Sequence, residues 1–365
     1  MGKNYINVFG DFMSQDPRQI IINDNLKDVL KSSDFNICNF EAPVLSKGEP
    51  IQKSGPSLCQ SEQSPSFLIE NGFNIFLLAN NHLMDYGEEG ANKTKDSFGS
   101  ELSLGYGRGT DAFECKSIEV NGKRIGLLSL TQKEFGTTDY NSEIKGTAWI
   151  GSSVVPSIIE NAKEQNDYVI VFPHAGLEHY DAPLPQWRQL YQNFIEKGAD
   201  AVIASHPHVP QGWEYYQNKP IFYSLGNFYF EMEGKSKFWN KSICVRIMVG
   251  EELSYEVFNI AFDKKVIYCD ETMKSHNDYL NQLLSNKALY EEYLNNVYKS
   301  VFPSYRYQML RANHGVALLR SPIVSLKLIA SALLNRENKI DLFNSFQCET
   351  HRWTIENCLK MMLYI

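Results

Sequence analysis

Apolar runs over residues 5–10, 34–40 and 74–79 read as short strands, and each ends in a polar or acidic cluster. Between the first two, residues 17–31 read as a helix, with Asp16 as N-cap and Pro17 at the first helical position. Residues 65–71, after a Ser64 cap, read as a shorter helix before the third strand. The chain therefore starts as β-α-β-α-β, with its chemically able side chains at strand ends. From Cys115 two β-runs meet at Asn121 and Gly122, a pair suited to a two-residue hairpin turn. Helix (154–165), strand (168–172), helix (184–197) and strand (201–204) follow, then β-rich stretches at 221–225, 242–249, 254–260 and 264–268. Two sheets with helices outside fit this mixture better than one parallel sheet. After about residue 271 the pattern is helical, including 321–335 with Ser321 as cap and Pro322 in the first turn.

At 365 residues the chain is long enough for one large domain, 1–270, and a helical C-terminal extension, 271–365. With 43% hydrophobic and 21% charged residues it is an ordinary globular composition. A net charge of −8 argues against general nucleic-acid binding, which needs a basic surface to displace counterions from phosphates. It leaves an anionic small-molecule or polymer substrate open. No apolar secretory segment opens the sequence, and the longest apolar stretch, near residues 323–334, is interrupted by Ser325, Lys327 and Ser331. That stretch reads as a core helix or a peripheral membrane contact. The seven cysteines are scattered without a CxxC pair, which suits a reducing cytoplasm and argues against a zinc–thiolate site.

Strand ends taken in order supply Asp11, then Glu41, then Asn80, Asn81, His82 and Asp85, then His174 and Glu178, then His206 and His208. Any one has a plain reading as a cap, a solvated charge or a packed imidazole. Five such clusters at strand ends point instead to one shared site. Carboxylates with imidazoles, an amide oxygen and no thiolate suit a hard or borderline cation: Mn, Fe, Zn or Mg. The isolated His276, His314 and His351 carry no spacing information and read as surface or packing residues.

The phrases GD at 10–11, NFE at 39–41, ANNHLMDYG at 79–87, HAGLEHY at 174–180, SHPHVPQGWE at 205–214 and YSLGNF at 223–228 closely resemble the CapA family of capsule and poly-γ-glutamate biosynthesis proteins. The resemblance runs in order over residues 4–262. That family is similar to the calcineurin-like metallophosphoesterases. The resemblance implies a four-layer α/β/β/α metallophosphoesterase-like sandwich of two mixed sheets, with the C-terminal helices as an appendage. It implies one or two divalent metal ions: Asp11 and His208 at one, Asn81, His174 and His206 at the other, and Glu41 as bridging carboxylate. His82 takes the place of the histidine beside the leaving group, with Asp85 orienting it. Glu178 and Asn227 match the family patterns as substrate contacts or supporting residues. Lys53 and Arg108 are candidates for holding an anionic group, against the plainer reading of solvated side chains.

Two departures matter. Met13 stands where the phosphoesterases place the histidine of an Asp-x-His pair, and Glu41 stands where an aspartate is usual. A thioether suits none of these cations, so the His208 position is expected to bind more weakly than the His206 position. The expected function is a metal-dependent hydrolase, phosphoesterase-like. Rivals are cleavage or formation of a glutamyl-type amide bond, weakened as a ligase by the lack of an ATP-binding glycine loop, and a non-catalytic polymer-binding assembly component.

Overall fold

The computed structural model describes residues 4–312 and 337–363; the helix expected over 321–335 and His314 lie outside the described residues. Among the described residues a nine-stranded sheet runs β2 (Ile21–Ile22), β18 (Val266–Cys269), β17 (Leu253–Asp263), β16 (Lys241–Val249), β1 (Tyr5–Met13), β3 (Phe35–Phe40), β4 (Ile75–Leu77) and β5 (Leu102–Leu104), with β15 (Asn227–Phe230) paired to the end of β1. A six-stranded sheet runs β13 (Pro210–Tyr216), β14 (Lys219–Leu225), β12 (Ala201–Ile203), β11 (Tyr168–His174), β8 (Lys123–Thr131) and β7 (Lys116–Val120). A small third sheet joins β6 (Tyr106–Arg108), β10 (Lys145–Ala148) and β9 (Thr137–Thr138). Both large sheets are mixed. Their centres, β1–β3–β4 and β8–β11–β12, are parallel.

Side-chain alternation along these strands sets the stacking. Ile6, Val8, Ile37 and Ile75 of the larger sheet share one buried cluster with Ile125, Leu127, Ile170 and Phe172 of the smaller. Their strand neighbours point the other way. Phe9, Cys38 and Phe76 pack under the helices Asp24–Lys31, Ser64–Glu70 and Gly87–Ser97. Leu128, Leu130, Val169 and Val171 pack under Val155–Gln165 and Pro185–Glu196. Three clusters between four layers make the expected α/β/β/α sandwich. Each buried aliphatic or aromatic side chain contributes about 1.5–3 kcal/mol, so a one-residue slip of β1, which would turn Ile6 and Val8 away from their partners, is strongly disfavoured.

The hairpin at Asn121 and Gly122 forms as expected, both residues in the left-handed region at φ 53° and 70°. The helix expected over residues 17–31 does not form as one piece. A short 3-10 turn (Pro17–Gln19) and β2 come first, and the helix starts at Asp24, because Ile21 and Ile22 pair with β18 and the Asn23 side chain caps the amides of Asn25 and Leu26. Asp16 makes no cap hydrogen bond. Ser64 is likewise not the cap of the next helix but its first residue, its hydroxyl donating to the Ser14 carbonyl.

The C-terminal helices Lys274–Ser285, Lys287–Ala312, Glu337–Gln347 and Glu349–Leu363 are present. Leu283, Tyr290, Leu294, Val297, Tyr298 and Cys358 extend the core beneath the smaller sheet rather than forming a core of their own. Among the described residues, no helix is long and apolar enough to cross a membrane.

Candidate metal centre

Parallel strands at the middle of both sheets bring their carboxyl ends to one edge of the sandwich, and the candidate residues gather there. Asp11 lies on β1, Glu41 directly follows β3, Asn81 and His82 follow β4, His174 ends β11, and His206 and His208 follow β12. The backbone is bent to aim them. Ala42, His206 and His208 have φ of 80°, 100° and 59°, conformations that cost non-glycine residues about 1–3 kcal/mol each and persist where surrounding contacts impose them. Gly10 permits the closest approach: a Cβ there would lie 1.8 Å from the Gly226 carbonyl oxygen. That contact sets β1 against the turn carrying Asn227, whose Oδ1 is 2.9 Å from His208 Nδ1.

Glu41 stands at the centre. Both carboxylate oxygens are buried without a hydrogen-bond partner, while His208 Nε2, His174 Nε2 and His82 Nε2 lie 3.6, 3.9 and 4.0 Å from its Oε1. An orphaned buried carboxylate is costly unless a cation takes the place of the missing donors. On one side of it Asn81 Oδ1 and His206 Nδ1 are 2.8 and 3.1 Å from His174 Nε2. Donor atoms around one cation with bonds of about 2.0–2.2 Å are spaced by about 3 Å, so this trio fits a shared ion. On the other side Asp11 Oδ2 lies 3.6 Å from His208 Nδ1 and accepts from the His206 amide at 3.2 Å. Asn39 Nδ2 donates to Asp11 Oδ1 at 2.7 Å and lies 3.1 Å from His174 Nδ1, holding the two in register.

Burial dominates the electrostatics. It pushes Asp11 up to about 7 and Glu41 well above the carboxylate range, and holds His206 at about 3, His208 at about 4 and His174 well below the imidazole range. Without a cation the pocket favours neutral groups. A dication reverses this for the carboxylates, and neutral imidazole is the ligating form.

Beside Glu41, Asp85 Oδ2 is 2.7 Å from His82 Nδ1 and accepts the Leu58 amide at 2.7 Å. This carboxylate accepts a hydrogen bond from Nδ1–H and leaves Nε2 as the ring nitrogen on the Glu41 side. Lys53 donates to Asp85 Oδ1 and lies 3.1 Å from His82 Nδ1, with only 5% of its side chain exposed. The solvated-lysine reading is therefore wrong. A cavity of about 440 Å³ opens onto His206 and Glu178, with Gln132, Glu134, Lys235 and His351 also in its wall.

Residues 6–232 match the family model described as bacterial capsule synthesis protein PGA_cap. The chain belongs to that family. It is 35% identical over 213 residues to the capsule biosynthesis protein CapA of Bacillus anthracis, covering 55% of this chain and 52% of that one. It is 30% identical over 211 residues to the PGA biosynthesis protein CapA of Bacillus subtilis (strain 168), covering 56% of each. The chain thus spans about half the length of the curated relatives it matches. Among solved structures, 5'-nucleotidase from Candida albicans SC5314 superposes with TM-score 0.45 at 11% identity, over 81% of this chain and 59% of that one. The Thermus thermophilus sulfate thiohydrolase SoxB superposes with TM-score 0.41 at 11% identity, over 70% and 56%.

In this PGA_cap chain the structure brings together Asp11, Glu41, Asn81, His82, Asp85, His174, His206, His208, Asn227 and Lys53. Glu178 stands at the cavity, 46% exposed, its Oε1 3.9 Å from His206 Nε2. Burial that would raise its carboxyl is outweighed by His206 and the other imidazoles, which hold it at about 2. Arg108 does not join them. It is 55% exposed and pairs at 3.6 Å with Glu143. Met13 packs with Ala42 and Phe230 in a small apolar cluster. His351, read as a surface or packing residue, lines the cavity instead. Sequence reasoning did not single out Asn39 or Gln132, whose Nε2 lies 3.1 Å from His206 Nε2. Asn39 sits inside a quoted motif and was findable; Gln132 at the end of β8 had no signal.

Proposed function

We propose that the chain is a metal-dependent hydrolase of phosphoester type, acting on an anionic small molecule or polymer in the synthesis of a capsule or of poly-γ-glutamate. One observation carries it: the partnerless, fully buried carboxylate of Glu41, ringed by three imidazoles. Asp11 and His208 would hold one divalent ion, Asn81, His174 and His206 the other, and Glu41 would bridge them. Such ions, when bound, polarise a phosphoryl oxygen and acidify water. His82, with Nδ1–H donating to Asp85, presents Nε2 as the atom that would move a proton at the leaving oxygen. Lys53 keeps Asp85 in place and puts a positive charge behind the pair. Residues 1–270 would form the catalytic unit with 271–365 appended to it. Cysteines that are all free support a reducing, cytoplasmic setting.

The test is metal analysis of the purified chain with hydrolysis of generic phosphoesters. Binding of Mn, Fe, Zn or Mg is expected, with His82→Ala lowering turnover about 10²–10⁴-fold at unchanged metal content. Absence of any bound divalent ion, or unchanged hydrolysis in His82→Ala, overturns the reading. A glutamyl-type amide substrate has one specific point in its favour, the half-exposed Glu178 carboxylate at the cavity, suited to an amino group. Activity on γ-glutamyl peptides alone would reverse the order.

A further inference from the structure

A second cluster lies across the cavity from His206. Glu134, in the segment after β8, and Cys348 and His351, at the start of the last helix, offer a carboxylate oxygen, a sulfur and a ring nitrogen that all lie within 4.8 Å of one another. Cys348 stands at the one-residue break between Glu337–Gln347 and Glu349–Leu363, and His351 lies in the first turn of the latter. Cys348 is fully buried, whereas Glu134 and His351 are half-buried and line the cavity. The Tyr305 hydroxyl is 2.6 Å from His351 Nδ1 and fixes the ring, the kind of contact that orients a ligating histidine. Gln132 Nε2 donates to Glu134 Oε1 at 3.3 Å, tying this carboxylate to the same amide that reaches His206.

We infer that Glu134, Cys348 and His351 form a separate site for a borderline divalent cation, Zn(II) or Co(II), which clips the C-terminal helices to the β8 segment and keeps an open coordination position toward the cavity. One thiolate, one imidazole and one carboxylate are the mixed donors such ions accept, and three protein ligands leave room for a solvent or substrate oxygen. The main cluster, with no sulfur among its residues, is of a different class. Burial of Glu134, which pushes it up to about 7, and of the Cys348 thiol, pushed well above its ordinary range, is a cost that a dication offsets. The simpler alternative is a thiol donating to a carboxylate with no ion. The site does not depend on the hydrolase reading, since it would hold a metal whether or not the main cluster is catalytic.

Cobalt separates the two explanations, because only a thiolate ligand gives a sulfur-to-cobalt charge-transfer band. Titration of the full-length, chelator-stripped protein with Co(II) is expected to give that band at one equivalent. Cys348→Ser is expected to abolish it while the weaker visible bands of cobalt in the imidazole and carboxylate cluster remain, which also shows that the variant is folded. Loss of an outer contact costs metal sites about 10–100-fold in affinity, so His351→Gln, which removes a ligand, is expected to weaken the band's titration at least tenfold. If the unmodified protein binds cobalt without the band, the inference is overturned. It is equally overturned if the band survives Cys348→Ser, or titrates with unchanged affinity in His351→Gln.

Discussion

Glu41 is a fully buried carboxylate with neither oxygen hydrogen-bonded, and that makes it an informative residue to change. Glu41→Gln keeps the volume and spares the folded chain the cost of protonating or burying a carboxylate that the unfolded chain leaves ionised, so the chelator-stripped variant is expected to be more stable by about 1–3 kcal/mol at neutral pH. The same variant should fail to retain two ions. Urea midpoints with and without chelator check both halves, and a variant less stable than the parent in chelator contradicts the account. The pH profile of the stripped protein follows from neighbouring groups. His174, His206 and His208 are held below the ordinary imidazole value of 6.5, so an unfolded chain takes up protons that the folded one refuses, and stability is lost as pH falls below that value. Asp11, raised to about 7, and Glu41, raised further, keep protons in the folded state that the unfolded state has given up, so stability is also lost as pH rises through 7. A maximum near neutral pH is expected, with each proton worth up to about 1.4 kcal/mol per pH unit on either side. A midpoint that climbs steadily to pH 9 contradicts these shifts. That the candidate residues gather at one place was legible in the sequence because each lies at or just after the end of a strand, in its own polar cluster. For Lys53 the sequence left anion binding and a solvated side chain both open, since nothing in IQKSGPSL reveals that Asp85 lies over it.

At the scale of elements, the strands and the Asn121–Gly122 hairpin were readable because alternation and turn chemistry are local properties. The failure at residues 17–31 is instructive. Pro17 and Asp16 give a genuine local start signal, but Ile21 and Ile22 gain more by pairing with β18, some 245 residues away in the chain, than a continuous helix would return. No local rule contains that partner. The same is true of β15, short and apolar, which exists because it pairs with the end of β1. That pairing depends on Gly10. Gly10→Ala forces the Gly226 turn away from β1 and with it Asn227 and His208, so it is expected to destabilise by about 3 kcal/mol or more and to lose the His208-side ion before the His206-side ion. Gly122→Ala is the control. Its Cβ would meet open space, its φ of +70° costs about 1–2 kcal/mol, and metal content should be unaffected. Denaturation midpoints with metal analysis of both variants read this out. Equal metal loss in the two would mean that general instability, not the β1 turn, governs the site.

At the scale of the whole molecule, the last helix reaches the candidate site although the family match ends at residue 232. The sequence gives no sign of that contact, because a helix far from every motif carries no mark of where it docks. Trp187 Nε1 donates to Thr350 Oγ1 at 2.9 Å, Thr350 donates to Gln132 Oε1 at 2.5 Å, and Gln132 Nε2 stands 3.1 Å from His206. His206, a candidate metal ligand, is thus linked through one amide to a residue of the last helix. Gln132 also accepts the Gly176 amide at 3.1 Å and donates to Glu134 Oε1 at 3.3 Å, so it stays in place without Thr350 but loses one of the contacts that fix its rotation. Thr350→Val, close in shape, is expected to cost about 1–3 kcal/mol by leaving the buried indole N–H unpaired, and to weaken retention of the His206-side ion about 10–100-fold. Thr354→Val distinguishes this from a general loosening of the helix. Thr354 is equally buried one turn further on, but its hydroxyl donates back to the Thr350 carbonyl and does not reach Gln132, so its loss should leave affinity for the His206-side ion unchanged. Competition with a chromophoric chelator measures both variants on the same scale. Equal weakening by the two would show that the last helix supports the centre only through bulk packing, and that the path through Gln132 carries nothing of its own.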